Sequence, residues 1–427
     1  MVQSINRSRL FTGSCFALIT TAMAFAIRAG IMNDLSGGFS MSDSQLGWIQ
    51  FMGIFGFPIA TLVGGPLYNS LGPKKLGFIA FFCHIIGITF SIFSTSFLPL
   101  FVSTFFISFA NGMVEAAYNP MITTMFDAKD TTKMLNRFHV WFPGGIVIGS
   151  LLAFAFTKMG MSWQAKIALM YVPACIYGYL FYGQEFPEKS KTLSSSNTEN
   201  FKAILTSPIY WFLLVCMAMT ATTELGTQSW VERILGNTGA EPLLILALVT
   251  GLMAVGRFFG GDIVHRLNIT GVLVASAVIT TLALLLMSQA TGGMVYVSAI
   301  LFAIGVCYFW PNMISFVAVY LPKTGAFGMS LIGGVGMAGL SIFQPIIGGW
   351  IQSSKIEQAN ASGFSIASDL TGENLKKAFD AIPRDVMGKI ELSAGQATLD
   401  NIAVIPAILI VAFIGLYFYM RKQKAVA

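Results

Sequence analysis

The amino-acid sequence predicts an all-α integral membrane protein whose twelve transmembrane helices form two six-helix bundles. Hydrophobic residues make up 55% of the 427 residues and charged residues 10%, and the mean hydropathy is +0.73. Water-soluble domains carry about 25% charged residues, so this composition indicates a chain that folds in lipid. The apolar residues fall in long runs, and one polar stretch divides these runs into two sets of six.

The apolar runs set the number of transmembrane helices. A helix that crosses a bilayer needs ~20 mostly apolar residues. About twelve runs meet this length, at residues 11–33, 45–67, 76–96, 98–124, 136–158, 164–182, 205–230, 241–264, 270–289, 293–318, 326–352 and 401–420. The first run is longer than the core of a signal peptide, so we expect it to remain as the first helix. An even number of spans places both termini on one side.

The basic residues between the spans indicate which side that is. They fall on one set of loops, and cytoplasmic loops are enriched in Lys and Arg. These residues are Arg7, Arg9, Lys74, Lys75, Lys129, Lys133, Arg137, Lys189, Lys191, Arg266, Lys323 and Arg421 to Lys424. We therefore expect a multi-pass protein of the plasma (inner) membrane with both termini in the cytoplasm. The basic residues form no stripe interleaved with aromatic residues, so we expect no nucleic-acid partner.

Polar stretches give the domain boundaries. Residues 184–204 are rich in Ser, Asn and Lys, which predicts a cytoplasmic linker between bundles at residues 1–183 and 205–427. A second polar stretch, the predicted outer-face loop 353–399, contains "ENLKKAFDAI", whose periodicity predicts a short surface helix.

Two similar turns suggest an internal repeat. "GGPLYNSLGPKK" follows the second span and "GGDIVHRLN" follows the eighth, and each is a glycine pair leading into a short basic turn. Repeats with a site near the midplane between them are the architecture of secondary transporters.

With two sets of six spans and these turns, the chain resembles the major facilitator superfamily. Gly65, Leu71 to Pro73 and the pair Lys74 and Lys75 match the loop motif of that superfamily, whereas Asn69 and Ser70 replace its usual acid and base. Lys74, Lys75, Arg257 and Arg266 are candidate gate or structural charges. The replacements put the superfamily's usual cytoplasmic charge network in doubt.

Within the superfamily, "GMVEAAYNPMITTMFD" and "MLNRFHVWFPGGIVIG" resemble the fucose:proton symporter branch of sugar permeases. The resemblance implies proton-coupled sugar import, with Asp34 and Glu115 as the proton-coupling acids and Asn33 near the substrate. Glu115 lies in an otherwise apolar run and shares a helix face with Asn119, which indicates a water-filled cavity. The alternative for Glu115 is a structural acid held by a neighbouring donor, and sodium in place of the proton remains open.

Further polar and aromatic residues inside the spans are candidates for substrate binding. Amides and carboxylates can bind adjacent hydroxyl groups, and an aromatic ring can cover the apolar face of a sugar. The candidates are Arg28, Asn33, Asn119, His139, Glu224, Gln228, Trp230, Trp310 and Asn312. His139 could instead pair with Glu115 or bond a backbone carbonyl, and Trp230 could anchor at the headgroups.

Arg28 leaves two alternatives open. An arginine inside a span must be paired or must bind an anion. We expect it to pair with Glu224 or Asp34; otherwise it receives a substrate carboxylate, and the cargo is a sugar acid. His84 and His265 are interpreted as a lipid-edge residue and a loop residue.

Other classes of protein fit less well. An enzyme would need a converging catalytic or metal-binding set, and the three histidines and five isolated cysteines provide none, so we predict no catalytic residues, no metal and no cofactor. A receptor that no longer transports would not need coupling acids. An exporter of anionic or amphipathic compounds is the main alternative within transport. The expected partners of the protein are a sugar or sugar acid, the proton and the lipid bilayer. We expect the protein to be a monomer.

Overall fold

The computed structural model describes residues 5–126, 134–135, 137–187, 197–258 and 260–426. In this part of the chain, ten helices are long and apolar enough to cross a membrane. The predicted sixth span is instead two short helices, Trp163–Ala168 and Tyr171–Phe181. The predicted eighth span is a shorter apolar helix, Pro242–Phe258. Together these segments account for the twelve predicted spans.

The chain divides into two compact units. Unit 1 comprises Met1–Asp34 and Trp48–Ser194, and unit 2 comprises Leu35–Gly47 and Ser195–Ala427. The helices up to residue 187 are Arg7–Ala29, Met32–Phe39, Asp43–Ile92, Phe97–Met125, Trp141–Lys158, Trp163–Ala168 and Tyr171–Phe181. Glycines let two of these helices approach closely, because a Cβ added at Gly145 would lie 2.6 Å from Cβ of Ala22.

The helices of the second unit follow residue 196. They are Asn197–Leu205, Pro208–Ala221, the π-helix Thr222–Gly226, Thr227–Ser229, Val231–Leu235, Pro242–Phe258, Gly260–Met287, Gly293–Val306, Phe309–Tyr320, the 3₁₀ turn Pro322–Thr324, Gly325–Ala361, Gly372–Asp380 and Arg384–Val426. The first of them lies within the predicted linker, of which residues 188–196, including Lys189 and Lys191, lie outside the described residues.

The two similar turns have the same backbone conformation. Gly72 has φ 77° and ψ 169°, and Asn268 has φ 56° and ψ 167°. Each residue follows the first glycine of its motif by eight positions. Glycine and asparagine tolerate positive φ better than other residues, and Oδ1 of Asn268 also accepts a 3.0 Å hydrogen bond from the backbone N–H of Gly271. The structure therefore supports the internal repeat at this turn.

The predicted outer-face loop 353–399 is a folded cap rather than an irregular loop. Helix Gly325–Ala361 continues into it, helix Arg384–Val426 begins within it, and the predicted surface helix is Gly372–Asp380. A helix of 43 residues is about 65 Å long, roughly twice the hydrocarbon thickness, so it extends beyond the bilayer. The cap has its own core, formed by Ile356, Ala359, Ile366, Leu375, Ile382 and Ile390.

The segment Leu35–Gly47 packs with unit 2, although the chain on both sides of it belongs to unit 1. Asp43 is 3% exposed and accepts hydrogen bonds from Arg233 (2.8 and 2.5 Å) and Lys355 (3.2 Å). Burial alone would lower the pKa of Arg233, but the carboxylate of Asp43, with Glu391 and Glu232, raises it above its ordinary value. These ion pairs fix the segment to unit 2.

Candidate functional site

Glu115 is linked to His139 through one amide. Nδ2 of Asn119 donates a 2.5 Å hydrogen bond to Oε2 of Glu115, and Oδ1 of Asn119 lies 3.0 Å from Nε2 of His139. Glu115 and Asn119 are partly exposed and His139 is exposed, so the three side chains form a hydrogen-bonded chain at the surface of unit 1. Pro120 follows directly and removes a backbone donor from this turn of the helix.

With Glu115 in its carboxylate form, the direction of these hydrogen bonds assigns a hydrogen to Nε2 of His139. A carboxylate accepts only, so the NH₂ group of Asn119 faces Glu115 and its carbonyl faces His139. A carbonyl oxygen is also only an acceptor, and Nε2 of His139 therefore carries a hydrogen. The alternative in which His139 pairs directly with Glu115 is wrong, because Asn119 stands between them. The sequence predicts all three residues as parts of the site but not the bridging role of the amide.

Asp34 is held by a lysine that the sequence analysis missed. Nζ of Lys166 donates a 2.7 Å hydrogen bond to Oδ2 of Asp34, and the lysine side chain is 2% exposed while that of Asp34 is 39% exposed. Lys166 lies inside the predicted span 164–182, and a charge at that depth requires a partner. That requirement was the signal that could have identified it. Protonation of Asp34 would leave a buried ammonium group without its counter-charge.

Arg28 is bound by neutral groups of the neighbouring helix. Its Nε donates a 2.5 Å hydrogen bond to Oε1 of Gln50, and its Nη1 donates a 2.9 Å bond to the backbone carbonyl of Gly53. The guanidinium also lies over the ring of Phe25, 5.0 Å from its centroid. Arg28 is 7% exposed.

The predicted pairing of Arg28 with Glu224 or Asp34 is wrong. Glu224 accepts from Nη2 of Arg257 at 3.0 Å, and Asp34 is occupied by Lys166. Nε of Arg257 also donates to the carbonyl of Cys307 at 3.1 Å, and its role as a gate or structural charge stays a prediction. Among the described residues Arg28 forms no ion pair.

The polar candidates of unit 2 lie around a π-helical turn. Glu224 belongs to the π-helix Thr222–Gly226, and such turns are frequent at functional sites. Its Oε2 is buried without a hydrogen-bond partner among the described residues, and so is Nδ2 of Asn312. Gln228 makes only a long contact of 3.7 Å with the sulfur of Met253. Two predicted side chains, Glu224 and Asn312, therefore each keep a buried polar atom that has no partner among the described residues.

Trp310 and Trp230 have different surroundings. Trp310 is partly exposed, and its ring packs where Gly336 has no side chain, 3.3 Å from where a Cβ would lie. Trp230 is fully buried, and its Nε1 donates a 2.7 Å hydrogen bond to Oε1 of Gln344. Trp230 is thus a packing residue of unit 2. Trp230 therefore neither contacts substrate nor anchors at the lipid headgroups in this structure, because no part of its ring is accessible.

The remaining predicted residues are more peripheral. Asn33 and Lys75 are exposed and Lys74 is partly buried, while the side chains of Arg266 and His265 lie outside the described residues. His84 is not at the lipid edge as predicted. It is fully buried, with Nδ1 2.8 Å from the hydroxyl of Tyr177 and Nε2 2.9 Å from Oδ1 of Asn111.

The chain is similar to known proteins both in sequence and in fold. The profile of the Major Facilitator Superfamily matches residues 10–344. The 2-nitroimidazole transporter of Escherichia coli (strain K12) is 18% identical over 234 residues, which cover 55% of this chain and 59% of that protein. The chain therefore spans less than two thirds of the length of this relative.

Two solved structures show the same fold. A bacterial homologue of the human lysosomal transporter Spinster, in an inward-facing and occupied conformation, has a TM-score of 0.76, 15% identity and 96% coverage of both chains. The E. coli fucose:proton symporter has a TM-score of 0.54 and 16% identity, and the match covers 93% of this chain and 98% of that one. Both likenesses concern the fold, because the identities are low. The chain belongs to the Major Facilitator Superfamily and has the helical membrane fold of the solved transporters.

Proposed function

We propose that the protein is a secondary active transporter that imports a sugar or sugar derivative together with protons by alternating access. It lies in the inner membrane with both termini in the cytoplasm. Glu115 and Asp34 are the proton-coupling acids. The chain Glu115, Asn119 and His139 is the observation that carries this proposal, because it joins a titratable acid inside a span to an exposed polar side chain.

The chain gives protonation of Glu115 a structural consequence. Protonated Glu115 can donate to the carbonyl of Asn119, and the amide then turns so that its NH₂ group faces His139. Nε2 of His139 then becomes an acceptor, and its proton leaves to solvent while Nδ1 takes one up, which gives the other neutral tautomer of the ring. No proton crosses the amide, yet the group that His139 offers to a substrate hydroxyl depends on the charge of Glu115. Substrate binding and proton binding are coupled in this way.

Asp34 adds a second proton-dependent contact. A proton on Asp34 removes the counter-charge of Lys166, so protonation and opening of this ion pair occur as one event. The pair lies within unit 1, as does the Glu115 chain. Both acids can therefore act on the same half of the protein.

Unit 2 carries two polar atoms that suit hydroxyl groups of a substrate. Oε2 of Glu224 offers an acceptor and Nδ2 of Asn312 offers a donor, and neither atom has a partner among the described residues. A polyhydroxylated molecule supplies both kinds of partner. Trp310 provides an aromatic face for the apolar side of a sugar ring.

The comparisons support this proposal at a coarser level. A fucose:proton symporter shares the fold, and the membrane transporter family is shown by the sequence profile. The alternative function is export of anionic or amphipathic compounds. It is favoured by Arg28, whose hydrogen bonds among the described residues go to the neutral acceptors of Gln50 and Gly53. The two functions differ in the direction in which the solute moves relative to the proton gradient.

Simultaneous recording of solute and proton flux tests the proposal. Purified protein in liposomes that contain a pH-sensitive dye is given a labelled sugar outside, with sodium present or absent. We expect sugar entry to acidify the lumen and sodium to have no effect. Sugar entry without acidification, or entry that requires sodium, would refute proton coupling.

A further inference from the structure

Arg28 has a donor group that the protein leaves unused. Its Nε and Nη1 are bonded to Gln50 and Gly53, but its Nη2 is buried and has no hydrogen-bond partner among the described residues. Both bonded acceptors are neutral. A charged side chain within a span is costly unless an opposite charge compensates it.

The protein holds this guanidinium in one orientation. Gln50 is fully buried, and its Nε2 lies 3.3 Å from the sulfur of Met32, which leaves Oε1 directed at Arg28. Gly53 is required beside it, since a Cβ there would lie 2.7 Å from Nη1 of Arg28. A positioned arginine with a free edge is suited to a carboxylate, which it binds by charge-assisted hydrogen bonds.

An aromatic surface connects Arg28 to the proton-coupling chain. Phe25 lies under the guanidinium, and its ring centroid is 5.7 Å from that of Phe142. Phe142 is three residues, or about one helical turn, after His139. Arg28, the rings of Phe25 and Phe142, and His139 therefore follow one another within unit 1, with Arg28 and Phe25 buried in this structure.

We propose that the substrate is a sugar acid and that Nη2 of Arg28 binds its carboxylate. This inference rests on the proposed function and specifies its substrate class. The hydroxyl groups of the substrate extend past Phe25 and Phe142 toward His139. Nη2 is enclosed in this structure, so the carboxylate reaches it in another conformation of the transport cycle.

The charge of the substrate has a measurable consequence. A monoanion that enters with one proton carries no net charge across the membrane, whereas a neutral sugar with one proton carries one positive charge. An inside-negative potential drives inward movement of positive charge. Import of a sugar acid with one proton is therefore insensitive to the potential, and import of a neutral sugar is stimulated by it.

The test compares D-glucuronate with D-glucose, which differ at one carbon, in liposomes with a proton gradient and a potassium diffusion potential. We expect glucuronate to accumulate at a rate that the potential does not change, and Arg28→Gln to raise its KM at least tenfold. Accumulation of glucose that the potential stimulates, or an unchanged KM in Arg28→Gln, would overturn the inference and leave proton coupling intact. Transport of neither solute would overturn it as well.

Further variants separate binding from folding. Gly53→Ala keeps the charge of Arg28 but displaces the guanidinium, so it should raise the KM as Arg28→Gln does. Gly144→Ala is the control in the same unit, since a Cβ there meets nothing closer than 3.7 Å. In detergent, glucuronate should raise the melting temperature of the parent and of Gly144→Ala but not of Arg28→Gln; a rise in all three would overturn the assignment of Arg28.

Glucuronate uptake that is independent of the proton gradient would refute the proposed function while retaining anion binding.

Discussion

Nδ2 of Asn119 donates a hydrogen bond to the carboxylate of Glu115, one helical turn earlier in the same helix. The other end of the same amide contacts His139 at 3.0 Å. Asn119 is therefore the side chain through which Glu115 and His139 affect each other. Substitution of Asn119 should therefore separate Glu115 from His139 while leaving the carboxylate of Glu115 in place.

Asn119→Ala should uncouple transport while retaining exchange. Hydrogen bonds to charged groups contribute about 1.5–3 kcal/mol, and about 1.4 kcal/mol corresponds to a factor of ten. We expect the accumulation ratio in liposomes with a proton gradient to fall about tenfold, with counterflow largely preserved. Asn111→Ala, in the same helix but bonded to His84, is the control and should leave the ratio unchanged. Equal accumulation in parent and Asn119→Ala would contradict this role.

Asp34→Asn should destabilise the protein through Lys166. Breaking a buried ion pair costs about 3–5 kcal/mol, and we expect about 2 kcal/mol here because Asp34 is 39% exposed. Lys166→Met should restore stability in the double variant, since the uncompensated ammonium group is then absent. Melting temperatures of all four proteins form the double-mutant cycle. Additive effects of the two substitutions would show that the pair does not couple.

Glu224→Gln should weaken substrate binding. With Oε1 bound to Arg257, Gln places an NH₂ donor where the carboxylate has its acceptor Oε2, so we expect the KM to rise about tenfold, equivalent to about 1.4 kcal/mol. Glu357→Gln, which makes the same change at an exposed position, is the control. A KM that does not change would place Glu224 outside the substrate site.

Asp43→Asn should release the segment Leu35–Gly47 from unit 2. Asp43 is 3% exposed and binds two cations, so the variant leaves Arg233 and Lys355 without their shared partner, at a cost of about 3–5 kcal/mol. Faster hydrogen exchange in residues 35–47 is the expected result. Asp380→Asn breaks only an exposed pair with Lys376 and should change nothing measurable in this segment.

The sequence predicted the membrane fold well because the apolar runs depend on composition and length alone. It also predicted the repeated turn, where Gly72 and Asn268 share a backbone conformation. It did not predict that residues 353–399 fold, since the core around Ile356 and Leu375 joins residues that are far apart in a largely polar stretch.

The partners of the charged residues were harder to predict than the residues themselves. Glu115, Asn119 and His139 could be chosen from one helix face and one neighbouring motif. Lys166 and Asp34 are 132 positions apart, and Arg233 and Asp43 are 190 apart, so no local pattern relates them. Trp230 was misplaced because an aromatic residue near the end of a span has the same local sequence whether it is accessible or packed.

The most direct test of the central claim is uptake by liposomes with an inward proton gradient, comparing the parent with Glu115→Gln. Radiolabelled neutral hexoses, amino sugars and sugar acids are offered in parallel. We expect one of these solutes to accumulate in the parent only when the gradient is present, and Glu115→Gln to exchange that solute without concentrating it. If Glu115→Gln concentrates the solute as the parent does, Glu115 is a structural residue and the proposed coupling is wrong.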